Sequence, residues 1–170
     1  MSTTSSQTRH RAYAWEDQSP TVTASGTHDG LAILQAIGRE ELPLPPALRT
    51  LDISPVEAEP GRVTFTLVPS EFHLNPFGLV HGGVMAALID TAMGCAVHSL
   101  LPVGAGYVTS ELNVRFLRAT GPASGTLLCR GEVIKAGRRS MVVEARVTDD
   151  SGREVAIGGC TCLVNASPAN

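Results

Sequence analysis

The sequence is short of charge and favours neither sign. Charged residues fill 17% of its 170 positions, below the roughly 25% of an average soluble chain. Thirteen Lys and Arg stand against 16 Asp and Glu, a net charge of −3, so no basic surface for nucleic acid is implied. No apolar run approaches the roughly 18 residues needed to cross a bilayer. The first residues lack the apolar stretch that a secretory signal requires. Cys95, Cys129, Cys160 and Cys162 contain no C-x-x-C pair and sit in apolar stretches. They read as reduced, buried thiols, which places the chain in the cytoplasm. There is no G-x-S-x-G elbow, no G-x-G-x-x-G or phosphate loop, and no internal repeat. His73 and His98 have no partner at metal-ligand spacing, so neither a metal nor another cofactor is expected.

What is present suffices for one core: 43% of the residues are apolar, in a chain of common single-domain size. Residues 1–29 read as a flexible tail. Eleven of the first 30 positions are Ser or Thr and no hydrophobic period runs through them, leaving little apolar surface to offset ordering entropy. Residues 30–166 read as the folded domain. Leu31, Leu34, Ala36 and Ile37 share one face of a short helix ending near Gly38, and Pro43, Pro45 and Pro46 forbid its continuation. Two strands follow, Leu51–Glu59 and Arg62–Pro69, with Pro60-Gly61 as the turn. After the polar loop Ser70–Gly78 comes a segment apolar nearly all round, residues 82–98, which predicts a buried helix. The period then switches to two, predicting strands near 106–119, 124–135, 139–149 and 153–165. One buried helix followed by consecutive hairpins is an α+β pattern, a curved antiparallel sheet wrapped around one long central helix.

Three features converge where that helix begins. Asn75-Pro76-Phe77-Gly78 forms a turn carrying a side-chain amide. His81-Gly82-Gly83 then opens the helix, where unpaired N–H groups and the helix dipole suit a polarised carbonyl or oxyanion. Two glycines keep Cβ atoms out of the way of an approaching ligand. Asp90 is the third feature: a carboxylate mid-helix among apolar neighbours is costly unless paired, which is the setting of a general base. Ala86, Ala87 and Ala92 suggest room for a substrate. Asp90 lies eight residues beyond Gly82, about 12 Å along the axis. If both serve one reaction they come from different subunits, with two antiparallel copies of the helix around a twofold axis.

The string N-P-F-G-L-V-H-G-G-V-M-A-A-L-I-D-T-A-M-G resembles the signature of hotdog-fold acyl-CoA thioesterases of the phenylacetate-pathway and thioesterase superfamily member 2 type, over roughly residues 45–165. The resemblance implies an acyl-CoA substrate, aryl or of short to medium chain, cleaved to free acid and CoA by a homodimer with shared sites, which in this family is often a homotetramer. It implies that the Gly82 N–H holds the thioester oxygen, with Gly83 beside it. Asp90 of the other subunit activates water or attacks directly, and Asn75 orients substrate or water. A Ser or Thr of the next strand positions the water; Thr109 is the better match and Ser110 the second. His81 braces the loop. The turn between the two long strands grips CoA, which assigns Lys135, Gly137, Arg138, Arg139 and Ser140 to its phosphates; three cations on a hairpin suit that task. CoA enters as part of the substrate, and neither nucleic acid nor membrane is a partner.

Blander readings stand beside these. Asp90 can cap another loop, Gly82-Gly83 can serve close packing, Asn75 can be a plain turn residue, and the basic hairpin a solvated one. Two other functions fit a domain of this kind: a non-catalytic acyl-CoA sensor, and a dehydratase. A dehydratase needs a His partner to its carboxylate at a different spacing, so hydrolysis is favoured.

Overall fold

The computed structural model describes residues 7–165. Helices α1 (Ser19–Ser25), α2 (Gly30–Gly38) and α3 (Pro46–Leu51) precede strands β1 (Ile53–Glu59) and β2 (Arg62–Leu67); α4 (Gly82–His98) comes next, then β3 (Gly106–Phe116), β4 (Leu127–Ala136), β5 (Ser140–Thr148) and β6 (Glu154–Asn165). The six strands form one antiparallel sheet in the order β1-β2-β4-β5-β6-β3. The sheet wraps α4, the hotdog arrangement that the sequence resemblance implies.

The sheet admits α4 because small residues lie beneath it. A Cβ on Gly131 of β4 would overlap the Ala92 carbonyl, and one on Gly158 of β6 would lie 2.5 Å from Ile89 Cγ2. The helix backbone therefore rests almost directly on the strands. Leu88, Ile89, Ala92, Met93, Ala96 and Val97 lose all solvent contact against the sheet. Truncating one of the larger of these, such as Leu88 to Ala, costs about 2–5 kcal/mol. Burial is one-sided: Gly83, Ala86, Ala87, Asp90 and Thr91 stay partly open, although the sequence is apolar nearly all round. Ala92 packs on the sheet and makes no room for a substrate.

On β3 a bulge at Ser110 shifts the register, pairing Thr109 with Cys162 and Glu111 with Thr161. Strict alternation from Tyr107 and Thr109 would turn Glu111, Asn113 and Arg115 toward α4. The extra residue flips the parity, so Leu112, Val114 and Phe116 take the inner face instead. The two edges of the sheet are β1 and β3; α2 packs on β1.

Two elements differ from the sequence reading. Pro45 and Pro46 end nothing further; they begin α3, with Pro46 in the first turn, where the missing N–H has no helical partner to lose. The strand read from Leu51 consequently starts at Ile53. Within residues 1–29, α1 occupies Ser19–Ser25, and the Arg11 guanidinium lies 3.6 Å from the Phe72 ring centroid. Residues 1–6 of that segment and residue 166 lie outside the described residues.

Candidate active site

The loop before α4 is built on Asn75. Its Oδ1 accepts the N–H groups of Phe77 at 2.9 Å and Leu79 at 3.2 Å, and its backbone N–H donates to the Leu79 carbonyl at 2.7 Å. Gly78 completes the turn at φ +76°, a conformation that strains other residues. Asn75 Oδ1 is thus spent on its own loop, and only the amide nitrogen remains for a ligand. Asn75 and Gly82 line one cavity of about 310 Å³, together with Met85 and Phe116.

His81 caps α4. Its Nδ1 accepts the Gly83 N–H at 2.9 Å, its carbonyl accepts the N–H groups of Val84 and Met85, and its own N–H donates to the His73 carbonyl at 2.8 Å. Nδ1 of the ring is thereby spent as an acceptor on the first turn of α4. The Gly82 N–H has no partner among the described residues. It is an unused donor at the positive end of a 17-residue helix.

Asp90 sits half-buried on the open side of α4 and accepts the Thr109 hydroxyl hydrogen on Oδ1 at 3.0 Å. Ser110, the bulge residue, instead donates its hydroxyl to the Thr161 carbonyl at 2.9 Å, away from the acid. Gly94, one turn beyond Asp90, leaves the space that Tyr107 takes up: a Cβ there would lie 2.5 Å from the Tyr107 hydroxyl oxygen.

The remaining residues lie farther off. Lys135, Arg138, Arg139 and Ser140 are exposed around the β4–β5 turn, which the Gly137 N–H closes on the Ser140 carbonyl at 3.1 Å. That turn is at the Tyr107 end of the sheet, since Ser140 pairs with Leu163 and Gly106 with Asn165. Gly82 is at the opposite end, against Phe116. Within one chain, therefore, Thr109 meets Asp90 and Asn75 meets Gly82, while the basic turn stands apart from the helix start.

A more apolar cavity, about 420 Å³, lies between α2, α3, β1 and β2, with Leu34, Leu48, Phe65 and Cys95 in its wall. Burial pushes the Cys95 thiol up to about 12, so it supplies no thiolate nucleophile near neutral pH. Sequence reasoning did not find this cavity; its wall joins four successive elements, α2 to β2, to Cys95 of α4, and only their packing encloses the space.

Comparison with known proteins identifies the family and the fold. Residues 77–156 match the thioesterase superfamily. A protein of Halobacterium salinarum described as an esterase is 44% identical over 89 residues, 48% of this chain and 57% of that one; the match thus spans little more than half of that relative. A 1,4-dihydroxy-2-naphthoyl-CoA hydrolase of Listeria monocytogenes is 27% identical over 115 residues, 68% of this chain and 92% of the relative. The solved structure of a phenylacetic acid degradation-related protein of Ralstonia eutropha superposes with a TM-score of 0.70 and 30% identity, covering 76% of this chain and 98% of that one. The chain belongs to the thioesterase superfamily, a family of thioester hydrolases, and has its hotdog fold.

Proposed function

We propose that the protein is an acyl-CoA thioesterase whose sites are shared between two chains. The observation that carries this reading is the separation of an unpaired donor, the Gly82 N–H, from an oriented carboxylate, Asp90, on one helix. Eight residues set them about 12 Å apart, too far to act on one carbonyl. A twofold axis running past α4 brings each Asp90 toward the other chain's helix start. It also brings each basic turn to the other chain's Gly82 end. The open stripe of α4 and the edge of β3 support this pairing: Val108, Leu112 and Phe116 are 51%, 39% and 57% exposed on that strand. An apolar edge of this length calls for a covering partner. Such a homodimer can assemble further into a tetramer, and the reduced thiols favour a cytoplasmic location.

In the proposed reaction the Gly82 N–H and the helix dipole polarise the thioester carbonyl. Asp90 of the partner chain, one oxygen of which is held by the Thr109 hydroxyl of that same chain, uses its other oxygen to take a proton from water as it attacks. The tetrahedral intermediate then expels CoA as thiolate and leaves the free acid. Asn75 lines the same cavity as Gly82, and its uncommitted Nδ2 serves to orient substrate or water. The cations of the β4–β5 turn hold the CoA phosphates. The open Ala86 and Ala87 leave room for an acyl group.

Complementation tests the reading. Gly82→Pro deletes the one N–H and fits the backbone, because proline is tolerated at the first helical position and His81 before it is extended at φ −60°, ψ 134°. Neither this variant nor Asp90→Asn should release free CoA at more than about 1% of the normal rate alone. Refolded together in equal amounts, half of the dimers are mixed and each holds one intact site, so about a quarter of normal activity returns. No recovery in verified mixed dimers overturns the shared site, and a wild-type chain that binds acyl-CoA but never releases thiol overturns the activity.

A further inference from the structure

We infer that His73 is a positioning residue for the Gly82 donor, holding the start of α4 from outside the site. The inference rests on the thioesterase reading for its effect on catalysis, but its geometry does not. His73 is 1% exposed, and its side chain is bound at both ring nitrogens. The Ser70 N–H donates to Nδ1 at 3.0 Å, and Nε2 meets the Leu51 carbonyl at 2.8 Å. A backbone N–H can only donate and a carbonyl can only accept. The ring is therefore neutral with its hydrogen on Nε2, and this one tautomer ties the end of α3 to the turn Glu71–His73.

The backbone of the same residue then reaches the site. The His73 carbonyl accepts the His81 N–H at 2.8 Å, and His81 in turn caps Gly83 through Nδ1. Two hydrogen bonds thus fix the peptides before and after the His81–Gly82 peptide, which carries the Gly82 N–H. The direction of an N–H that must meet an oxyanion is set by the peptide plane that carries it, and small misalignments there are costly in rate. A second layer holds His73 in place. The Phe72 ring lies tilted against it, centroid to centroid 4.0 Å, and the Arg11 guanidinium covers Phe72 while donating to the carbonyls of Arg49 and Thr50. Arg9 pairs with Glu71 at 3.1 Å on the same turn. The segment before α1 thereby bears on the turn that bears on Gly82.

Protonation works against this brace. A proton on Nδ1 would displace the Ser70 N–H and bury a charge. Burial holds the His73 pKa below the usual histidine range, as does the nearby Arg11, while the Leu51 carbonyl and Asp52 act in the other direction. Glu71, the remaining charged group on that turn, is held by Arg9.

The test compares His73→Leu, which removes both ring contacts, with His73→Asn, whose Oδ1 can still accept the Ser70 N–H. Two measurements are made well below each variant's melting temperature: steady-state kinetics on an acyl-CoA panel, and amide hydrogen exchange at Gly82 and Gly83 without substrate. A positioning role gives His73→Leu a kcat loss on the order of tenfold with KM within about twofold, faster exchange at Gly83, and partial recovery of both in His73→Asn. It also removes from the kcat profile of both variants the acid limb that wild type owes to this ring. A folded His73→Leu protein with wild-type exchange at both glycines overturns the brace, whatever its activity. Altered exchange in His73→Leu, beside a wild type that cleaves no acyl-CoA, would instead overturn the thioesterase reading and leave the brace standing.

Discussion

Thr109 on the inner face of β3 donates its hydroxyl hydrogen to Asp90 Oδ1 on α4 at 3.0 Å, whereas its neighbour Ser110 donates to the Thr161 carbonyl. The bulge sorts two adjacent hydroxyls to different tasks, and their removal should separate accordingly. Asp90→Asn is expected to lower kcat about 10²-fold or more with the fold and the assembly intact. Thr109→Val, which keeps the shape and deletes the donor, is expected to lower kcat about tenfold. Ser110→Ala should stay within about twofold of wild type. Rates of CoA release under single-turnover conditions check all three, and equal losses in the Thr109 and Ser110 variants would contradict the assignment.

The β4–β5 turn carries Lys135, Arg138 and Arg139 with their side chains in solvent, and none of the three forms an ion pair among the described residues. Cations left unpaired in a chain of net charge −3 are available to phosphates. Replacing Arg138 and Arg139 with Glu should raise KM for an acyl-CoA by about tenfold or more and leave kcat within about twofold. The same acyl group on a thiol handle without phosphates should show no such change. Rising salt should erase much of the difference between wild type and variant. A KM unaffected by the charge reversal would leave the turn a solvated hairpin.

The centre of the fold was legible in the sequence because its signals are local. The span 82–98 for the central helix follows from the capping histidine, the glycine pair and the apolar run, and matches α4 residue for residue. The period-two segments, with turns at Pro60-Gly61, Ala136-Gly137 and Asp149–Gly152, match the strands to within a few residues. What was hidden depends on tertiary neighbours. Nothing around Pro45-Pro46 distinguishes a helix start from a helix stop until β1 and α2 supply a surface to pack on. The Ser110 bulge was hidden as well, although its trace is visible in retrospect: the apolar parity of β3 changes between Thr109 and Leu112. For the site, the Asn75–Gly82–Asp90 spacing was readable, and Thr109 could be named ahead of Ser110 only through resemblance. His73 carried no signal as a brace, since its partners Leu51, Ser70 and His81 lie 22, 3 and 8 positions away.

Gly131 makes a stability prediction that spares the site. Its Cβ would overlap the Ala92 carbonyl and lie 2.8 Å from the Met93 nitrogen. Both are backbone atoms of a fully buried helix turn and cannot rotate away. Gly131→Ala must lift α4 from β4, with an expected cost of about 1–3 kcal/mol or more. Gly106→Ala is the matched control, since a Cβ there meets nothing within 4 Å and the backbone is not left-handed. It should stay within about 0.5 kcal/mol of wild type. Urea midpoints at constant m-value measure both, and equal stability of the two variants would mean that helix and sheet are not in the contact described.

Acid should destabilise the protein in two separate stages. Burial holds His73 and His98 below the usual histidine range in the folded chain, whereas in the unfolded chain both titrate near 6.5. As pH falls below about 6.5 the unfolded chain takes up protons that the folded chain refuses, so stability is complete above that pH and declines beneath it. Each histidine contributes a slope of at most about 1.4 kcal/mol per pH unit. Asp149 governs the second stage. Its carboxylate accepts from the Ser151 hydroxyl and the Arg153 guanidinium, and from the backbone N–H groups of both residues, at the β5–β6 turn. Those bonds, the Ser151 hydroxyl foremost, hold its pKa well below the usual carboxylate range. Its contribution is therefore present above about pH 3.9 and is lost as pH falls further toward the lowered folded value. Urea midpoints from pH 8 to 3 should show a first decline beginning near 6.5 that flattens in a His73→Gln, His98→Gln double variant. A second decline, below about 4, should flatten in Asp149→Asn. A stability that holds level from pH 7 to 5 in wild type would mean that neither histidine is held neutral by the fold.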